Sequence, residues 1–279
     1  MKYIGAHFSI SNGFAKAVQH AKKCRANALA IFTKSNMQWK SSIITEDIEQ
    51  SFFNECKLNN IDKSYILPHA SYLINIGNPD NEKQLRAKNA LIEEMKRCKQ
   101  LGLNKLNFHP GSGLGIISEA QTIKNIGKCV KDALEEVTDV SLIFETTAGT
   151  GFNVGYRFEH LRDLISESNY FDRVGVCIDT CHIFCAGYNL KTDESYENTM
   201  FEFDKIIGFK YLKGMHLNDT KNDIGSKKDR HESLGNGYLG YYPFNLIIKD
   251  KRTDNIPLIL ETPNSSLWKY EINLLKQYE

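Results

Sequence analysis

The sequence predicts a single α/β barrel of eight strands, (β/α)8, with its chemistry gathered at the carboxyl ends of those strands. Three observations predict it. Short apolar runs recur along the chain, helical spacing fills the gaps, and an imidazole or a carboxylate closes one run after another.

The apolar runs lie at residues 3–6, 28–32, 65–67, 105–108, 142–144, 174–178, 211–217 and 256–260. They are rich in β-branched or aromatic residues and show little alternation, as strands buried on both faces of a parallel sheet do. Residues 13–23 place Phe14, Ala17, Val18 and Ala21 on one helical face, and residues 82–101 do so with Leu85, Leu91, Met95 and Cys98. Residues 118–136 open at Ser118, a good N-cap, with Gln121 placed to complete a capping box. Further helices are predicted at 45–59, 159–166, 198–207, 244–249 and 267–276. No linker, low-complexity tract or repeat breaks the alternation, so residues 1–279 are read as one domain. The alternative, a doubly wound open sheet, would put its ligand at a switch in strand order. No GxGxxG or GxxxxGK[ST] fingerprint follows an early strand, and the barrel is preferred.

With 41% hydrophobic and 25% charged residues, the chain can bury a sizeable core. Its formal net charge of +1 announces no polyanion partner. Nucleic acid would require locally clustered Lys and Arg, or bound cations. Seven scattered cysteines and the opening MKYIGAHFSI, a strand pattern rather than a secretory leader, point to a reducing cytoplasm. Cys177, Cys181 and Cys185 are spaced by fours, which could suggest a thiolate site. Cys177 falls inside a strand run, however, where cysteine usually serves as a small hydrophobe. No apolar run is long enough to span a bilayer.

The strand ends carry the chemistry. The third run closes LPHAS with His69, and the fourth closes NFHPGS with His109. Next come IFETTAG with Glu145, CIDTCH with Asp179 and His182, MHLND with His216 and Asp219, and LILET with Glu261. A loop after the seventh run adds Asp229 and His231. In a barrel these ends converge on one face, where active sites lie. A lone His at a strand end is more often hydrogen-bonded structure than ligand. Five His and four carboxylates in one pocket are different, because carboxylates crowded without cations repel one another. Nitrogen and oxygen donors suit Zn²⁺, Mn²⁺ or Fe²⁺ better than Mg²⁺ or Ca²⁺. Nine side chains exceed one tetrahedral shell, so two or three ions are expected. Paired ions about 3.5–4 Å apart suit phosphodiester hydrolysis. Sugar isomerisation is equally open to this inventory. No organic cofactor is expected.

The segments YIGAH, LPHASYLIN, LNFHPGS, VGVCIDTCHIFCAGY, KGMHLND, DRHESLGNG and PLILET, in this order over nearly the whole chain, closely resemble the endonuclease IV family. The resemblance implies a (β/α)8 barrel with three zinc ions. His69 and His109 would hold the first, with Glu145 bridging it to the second. Asp179, His216 and Glu261 would complete the second, and His182, Asp229 and His231 would hold the third. It further implies hydrolysis of duplex DNA on the 5′ side of abasic sites, leaving a 3′-hydroxyl and a 5′-deoxyribose phosphate. A hydroxide bridging the first two ions would attack, with Glu145 and Glu261 the central carboxylates, and the enzyme would be monomeric.

Family members bend DNA and push side chains into the gap. Tyr72 and Leu73 match that wedge; the blander reading is that they cover the barrel rim. Met37 stands where the family often has Arg, and Thr146 where Asn is common. Met37 could still wedge, but offers neither a cation nor hydrogen bonds. Lys221, Lys227, Lys228 and Arg230 surround the third ligand set and are read as neutralising the DNA backbone. The rival reading is a metal-dependent sugar isomerase or epimerase of the same barrel type. Such an enzyme would not need His182, Asp229 and His231.

Overall fold

The computed structural model describes all 279 residues. Its strands are β1 (Tyr3–Ala6), β2 (Lys105–Phe108), β3 (Ser141–Glu145), β4 (Val174–Asp179), β5 (Leu212–His216), β6 (Asp219–Thr220), β7 (His231–Glu232) and β8 (Pro257–Leu260). Six form one parallel sheet in the order β1–β8–β5–β4–β3–β2, while β6 and β7 make a small antiparallel ribbon.

Two further segments close the ring between β1 and β2. Residues 28–32 and 65–69 are joined to it by parallel bridges between His7 and Ala30, Leu29 and Ile66, Phe32 and His69, and His69 and Asn107. Ala30 N–H donates to the Ala6 carbonyl (3.0 Å), His69 N–H to that of Ile31 (2.9 Å), and Asn107 N–H to that of Pro68 (2.8 Å). The eight expected runs therefore form a closed eight-membered barrel. The second and third make single bridges rather than continuous ladders. Pro68 lacks a backbone donor at this seam. Packing there is also tight, since a Cβ on Gly5 would lie 1.8 Å from the Ala28 carbonyl oxygen.

The main apolar core lies between strands and helices, with Phe8, Phe52, Phe108, Phe144, Phe158 and Phe203 fully buried. A second cluster, Ala28, Ala30, Leu67, Ile143, Cys177 and Ile259, packs with Tyr3 and Tyr65. Side chains two residues apart on a strand point the same way. Two residues beyond Leu67, Ile143, Cys177 and Ile259 stand His69, Glu145, Asp179 and Glu261. An apolar layer thus carries a polar one directly above it.

The helices match the predicted spacing with four differences, the first being Leu85, which is 53% exposed and lies off the buried face of Asn81–Gln100 that holds Leu91, Met95 and Cys98. Ser118 caps Glu119–Glu136 by accepting from Gln121 N–H, but the Gln121 side chain donates onward to Asn125, so only half of the expected box forms. The helix expected from 198 starts at Asp193, behind a true box between Thr192 and Ser195. The helix Thr180–Ala186 is an addition, being too short to show periodicity in the sequence.

Candidate metal centre

All nine predicted ligands meet at the carboxyl ends of the strands. Their donor atoms fall into three sets, each within 4.8 Å: His69, His109 and Glu145; Glu145, Asp179, His216 and Glu261; and His182, Asp229 and His231. Glu145 belongs to two sets and links them. It is fully buried at the end of β3. Its Oε2 lies 3.0 Å from His69 Nε2, and its Oε1 lies 3.1 Å from His216 Nδ1 and 3.4 Å from His109 Nε2. His216 Nδ1 also faces Glu261 Oε2 at 3.1 Å and Asp179 Oδ2 at 3.8 Å. In the third set His182 Nε2 stands 3.1 Å from Asp229 Oδ2, and His231 Nε2 stands 3.4 Å from Asp229 Oδ1.

Backbone carbonyls fix how these rings point. His69 Nδ1 donates to the Ala70 carbonyl (2.6 Å), His182 Nδ1 to that of Thr146 (2.8 Å), and His231 Nδ1 to that of Glu261 (3.2 Å). A carbonyl can only accept, so each Nδ1 carries a hydrogen and each ring turns its Nε2 toward carboxylates. Lone pairs facing carboxylate oxygens repel unless a proton or cation lies between them. Nε2 of both His182 and His231 is buried without a hydrogen-bond partner. This is the tautomer and outer support that metal-bound imidazoles use, and the donor set fits divalent ions with nitrogen and oxygen shells.

Electrostatics agree. Burial alone would push the Glu145 carboxyl up, but His216 and His109 outweigh it and hold it well below the usual range. For Glu261, burial is likewise overcome, chiefly by His216. Burial pulls His182 and His216 down. Asp179 and Asp229 nevertheless raise His182 well above its ordinary value, and Cys177, Glu261 and Glu145 raise His216. Without ions, protons on these rings balance the carboxylates.

Several residues beyond the nine predicted ligands surround the centre. His7, at the end of β1, brings Nδ1 within 2.6 Å of Glu261 Oε1. It closes the YIGAH motif, but a single His has no spacing partner to mark it. Asn218 donates to Asp179 Oδ2 (2.7 Å) and accepts from Glu261 N–H (2.8 Å). Asn107 donates to Glu145. Thr146 accepts from Asp179 N–H at 2.8 Å, so this departure from the family pattern still orients a ligand. Asp219 is buried yet belongs to none of the sets; it accepts from the backbone of Thr220, Gly235, Gly237, Leu239 and Gly240. Cys181 lies within the same reach of Asp179 and His231. The Cys185 side chain and burial hold its thiol well above the ordinary value.

The residues read as DNA contacts lie on loops at this face. Tyr72 is 52% exposed, its ring 5.2 Å from that of His69 and 5.7 Å from that of His109. Leu73 beside it is half-buried, and Met37 is 71% exposed. Lys227, Lys228 and Arg230 stand around Asp229, with Lys227 Nζ 5.2 Å from the Tyr156 ring. Lys221 stands 3.9 Å from Glu232. Between the 33–44 loop and Trp268, a cleft of 870 Å³ reaches down to His7.

The family described as xylose isomerase-like TIM barrel matches residues 18–278. Within that class, a probable endonuclease 4 of Campylobacter concisus is 48% identical over 279 residues, all of this chain and 99% of the relative. The chain belongs to the endonuclease IV family, a family of nucleases, as its motifs implied. The crystal structure of endonuclease IV from Thermus thermophilus superposes with a TM-score of 0.86 at 27% identity, covering 99% of this chain and 98% of that one. A D-tagatose 3-epimerase-like protein matches at TM-score 0.74 and 15% identity, covering 98% and 96%, which shows a shared barrel and nothing further. No helix is long and apolar enough to cross a membrane.

Proposed function

We propose that this chain is an abasic-site endonuclease that hydrolyses the phosphodiester bond 5′ to the lesion in duplex DNA, leaving a 3′-hydroxyl and a 5′-deoxyribose phosphate. One observation carries the reading: nine side chains form three adjoining sets, two of them sharing Glu145. A sugar epimerase has no use for the third.

His69, His109 and Glu145 would hold one ion, Glu145 with Asp179, His216 and Glu261 a second, and His182, Asp229 and His231 a third. Zn²⁺ is the ion proposed, with Mn²⁺ or Fe²⁺ able to substitute at some positions. Such ions supply Lewis acidity toward phosphate oxygens and acidify water to near neutral pH. The chain's own residues do the rest. Glu145 and Glu261 present carboxylates at the centre of the pocket, with His7 and Asn107 fixing their orientation. Tyr72 and Leu73 stand at the rim above the first set and would fill the gap left by the missing base, with Met37 offering an apolar tip beside them. Lys227, Lys228 and Arg230 would neutralise phosphates near the third set, allowing an almost neutral chain, acting as a monomer, to bind a polyanion.

An end-labelled duplex containing one tetrahydrofuran residue tests this, because that analogue cannot undergo β-elimination. The expected product is a single cut immediately 5′ to the analogue, ending in a 3′-hydroxyl, without added Mg²⁺. Equal cutting of an undamaged duplex, or aldose epimerisation in place of cutting, would refute the reading.

A further inference from the structure

Between the helix Asn81–Gln100 and the barrel face lies a buried polar assembly that the ion sites do not use. Glu94 is 0% exposed and Arg97 9%. Both face the irregular loops that carry Met37 and Tyr72. Glu94 Oε1 accepts from Ser71 N–H at 3.1 Å, and its Oε2 accepts from the Thr33 hydroxyl at 3.4 Å. Lys34, itself 4% exposed, places Nζ 3.9 Å from the same carboxylate and donates to the Trp39 carbonyl at 2.9 Å. Arg97 donates from Nε to the Thr33 carbonyl at 2.9 Å and from Nη1 to that of Ser42 at 2.7 Å. The Ser71 hydroxyl closes the circuit, donating to the Asn36 carbonyl at 2.7 Å and accepting from Leu73 N–H at 3.3 Å.

A buried carboxylate is costly unless its oxygens are hydrogen-bonded and a cation stands near. Here those conditions are met only while both loops hold their positions. We infer that Glu94 is a positioning residue for lesion recognition, locking the Met37 and Tyr72 loops into one unit above the first ion set. This rests on the proposed reading of the site. The lock ties two stretches without regular structure to one another at the barrel mouth. A preorganised loop spends less of its contact energy on ordering when DNA arrives. Cutting the lock therefore weakens binding of abasic duplex and leaves the hydrolytic step intact, since Glu94 hydrogen-bonds to Ser71 and Thr33 and to no ion-ligand side chain.

The test compares wild type, Glu94→Ala and Glu94→Gln for Kd and KM on tetrahydrofuran duplex, kcat at saturation, and bound zinc. Glu94→Ala is expected to raise KM and Kd about tenfold, with kcat within about twofold and zinc content unchanged. Glu94→Gln, whose amide oxygen can still accept from Ser71 N–H, is expected to restore most of the affinity. Unchanged affinity in Glu94→Ala, or a parallel loss of zinc and kcat, would overturn the inference. Should Glu94→Ala fail to fold, Ser71→Ala cuts the link to Asn36 and is expected to raise KM about threefold; no change there would overturn it equally. Wild-type protein that neither binds nor cuts this duplex would instead overturn the reading on which the inference depends.

Discussion

Glu145 shows how much one residue's neighbourhood decides. It ends β3 two residues past Ile143, and four imidazoles come within 3.4 Å of its oxygens. The sequence makes it visible as a carboxylate closing an apolar run. It does not reveal the carbonyls of Ala70, Thr146 and Glu261 that aim the rings, because backbone acceptors leave no mark in residue identity. His7 is hidden for a related reason: one imidazole has no spacing partner. Replacing Glu145 with Ala removes a ligand common to two sets, so zinc content and cleavage should fall together, cleavage by at least about a hundredfold. Elemental analysis beside the duplex assay checks it, and near-normal turnover would refute the shared role. A second prediction concerns protons. His182 and His216 are raised well above their ordinary value in the ion-free protein and hold protons at neutral pH. Glu145 and Glu261 are lowered and hold none. Binding zinc must displace the imidazole protons, so its affinity should weaken as pH falls. Calorimetry in buffers of different ionisation enthalpy should register proton release, and a pH-independent affinity would contradict this.

The elements are legible to different degrees. Six runs become strands of the main sheet with ends displaced by a residue or so, and long helices such as Glu119–Glu136 begin where the cap residue indicates. The seventh run shortens because Phe209–Tyr211 turns as a 3-10 segment before β5 begins. Residues 28–32 and 65–69 have strand composition but bridge singly, because pairing depends on neighbours far away in sequence. Closure is tightest at Gly5, which has no room for a side chain against the Ala28 carbonyl. Gly5→Ala should force β1 away from residues 28–32 and cost about 3 kcal/mol or more of stability. Thermal unfolding should show a midpoint lowered by several degrees, and an unchanged midpoint would mean that the seam is softer than its geometry implies.

At the scale of the molecule, a formal charge of +1 conceals local separation. Lys227, Lys228 and Arg230 sit at the mouth, while the carboxylates of Glu145 and Asp179 lie deep in the barrel. Charge counts alone could not locate this division; the strand order and the β6–β7 ribbon do. Changing Lys227 and Lys228 together to Ala should lower the slope of log affinity against log salt by about 1 to 2. A slope equal to wild type would return these lysines to the role of ordinary solvated loop residues. If the three sets act as one centre, rebuilding the ion-free protein with zinc will reveal their dependence on one another. Zinc would be added in steps while bound ions per chain and cutting of tetrahydrofuran duplex are measured in parallel. Little cutting is expected until the shared Glu145 sites are filled, with full activity only near three ions per chain. Full activity at one ion per chain, or none at three, would contradict it.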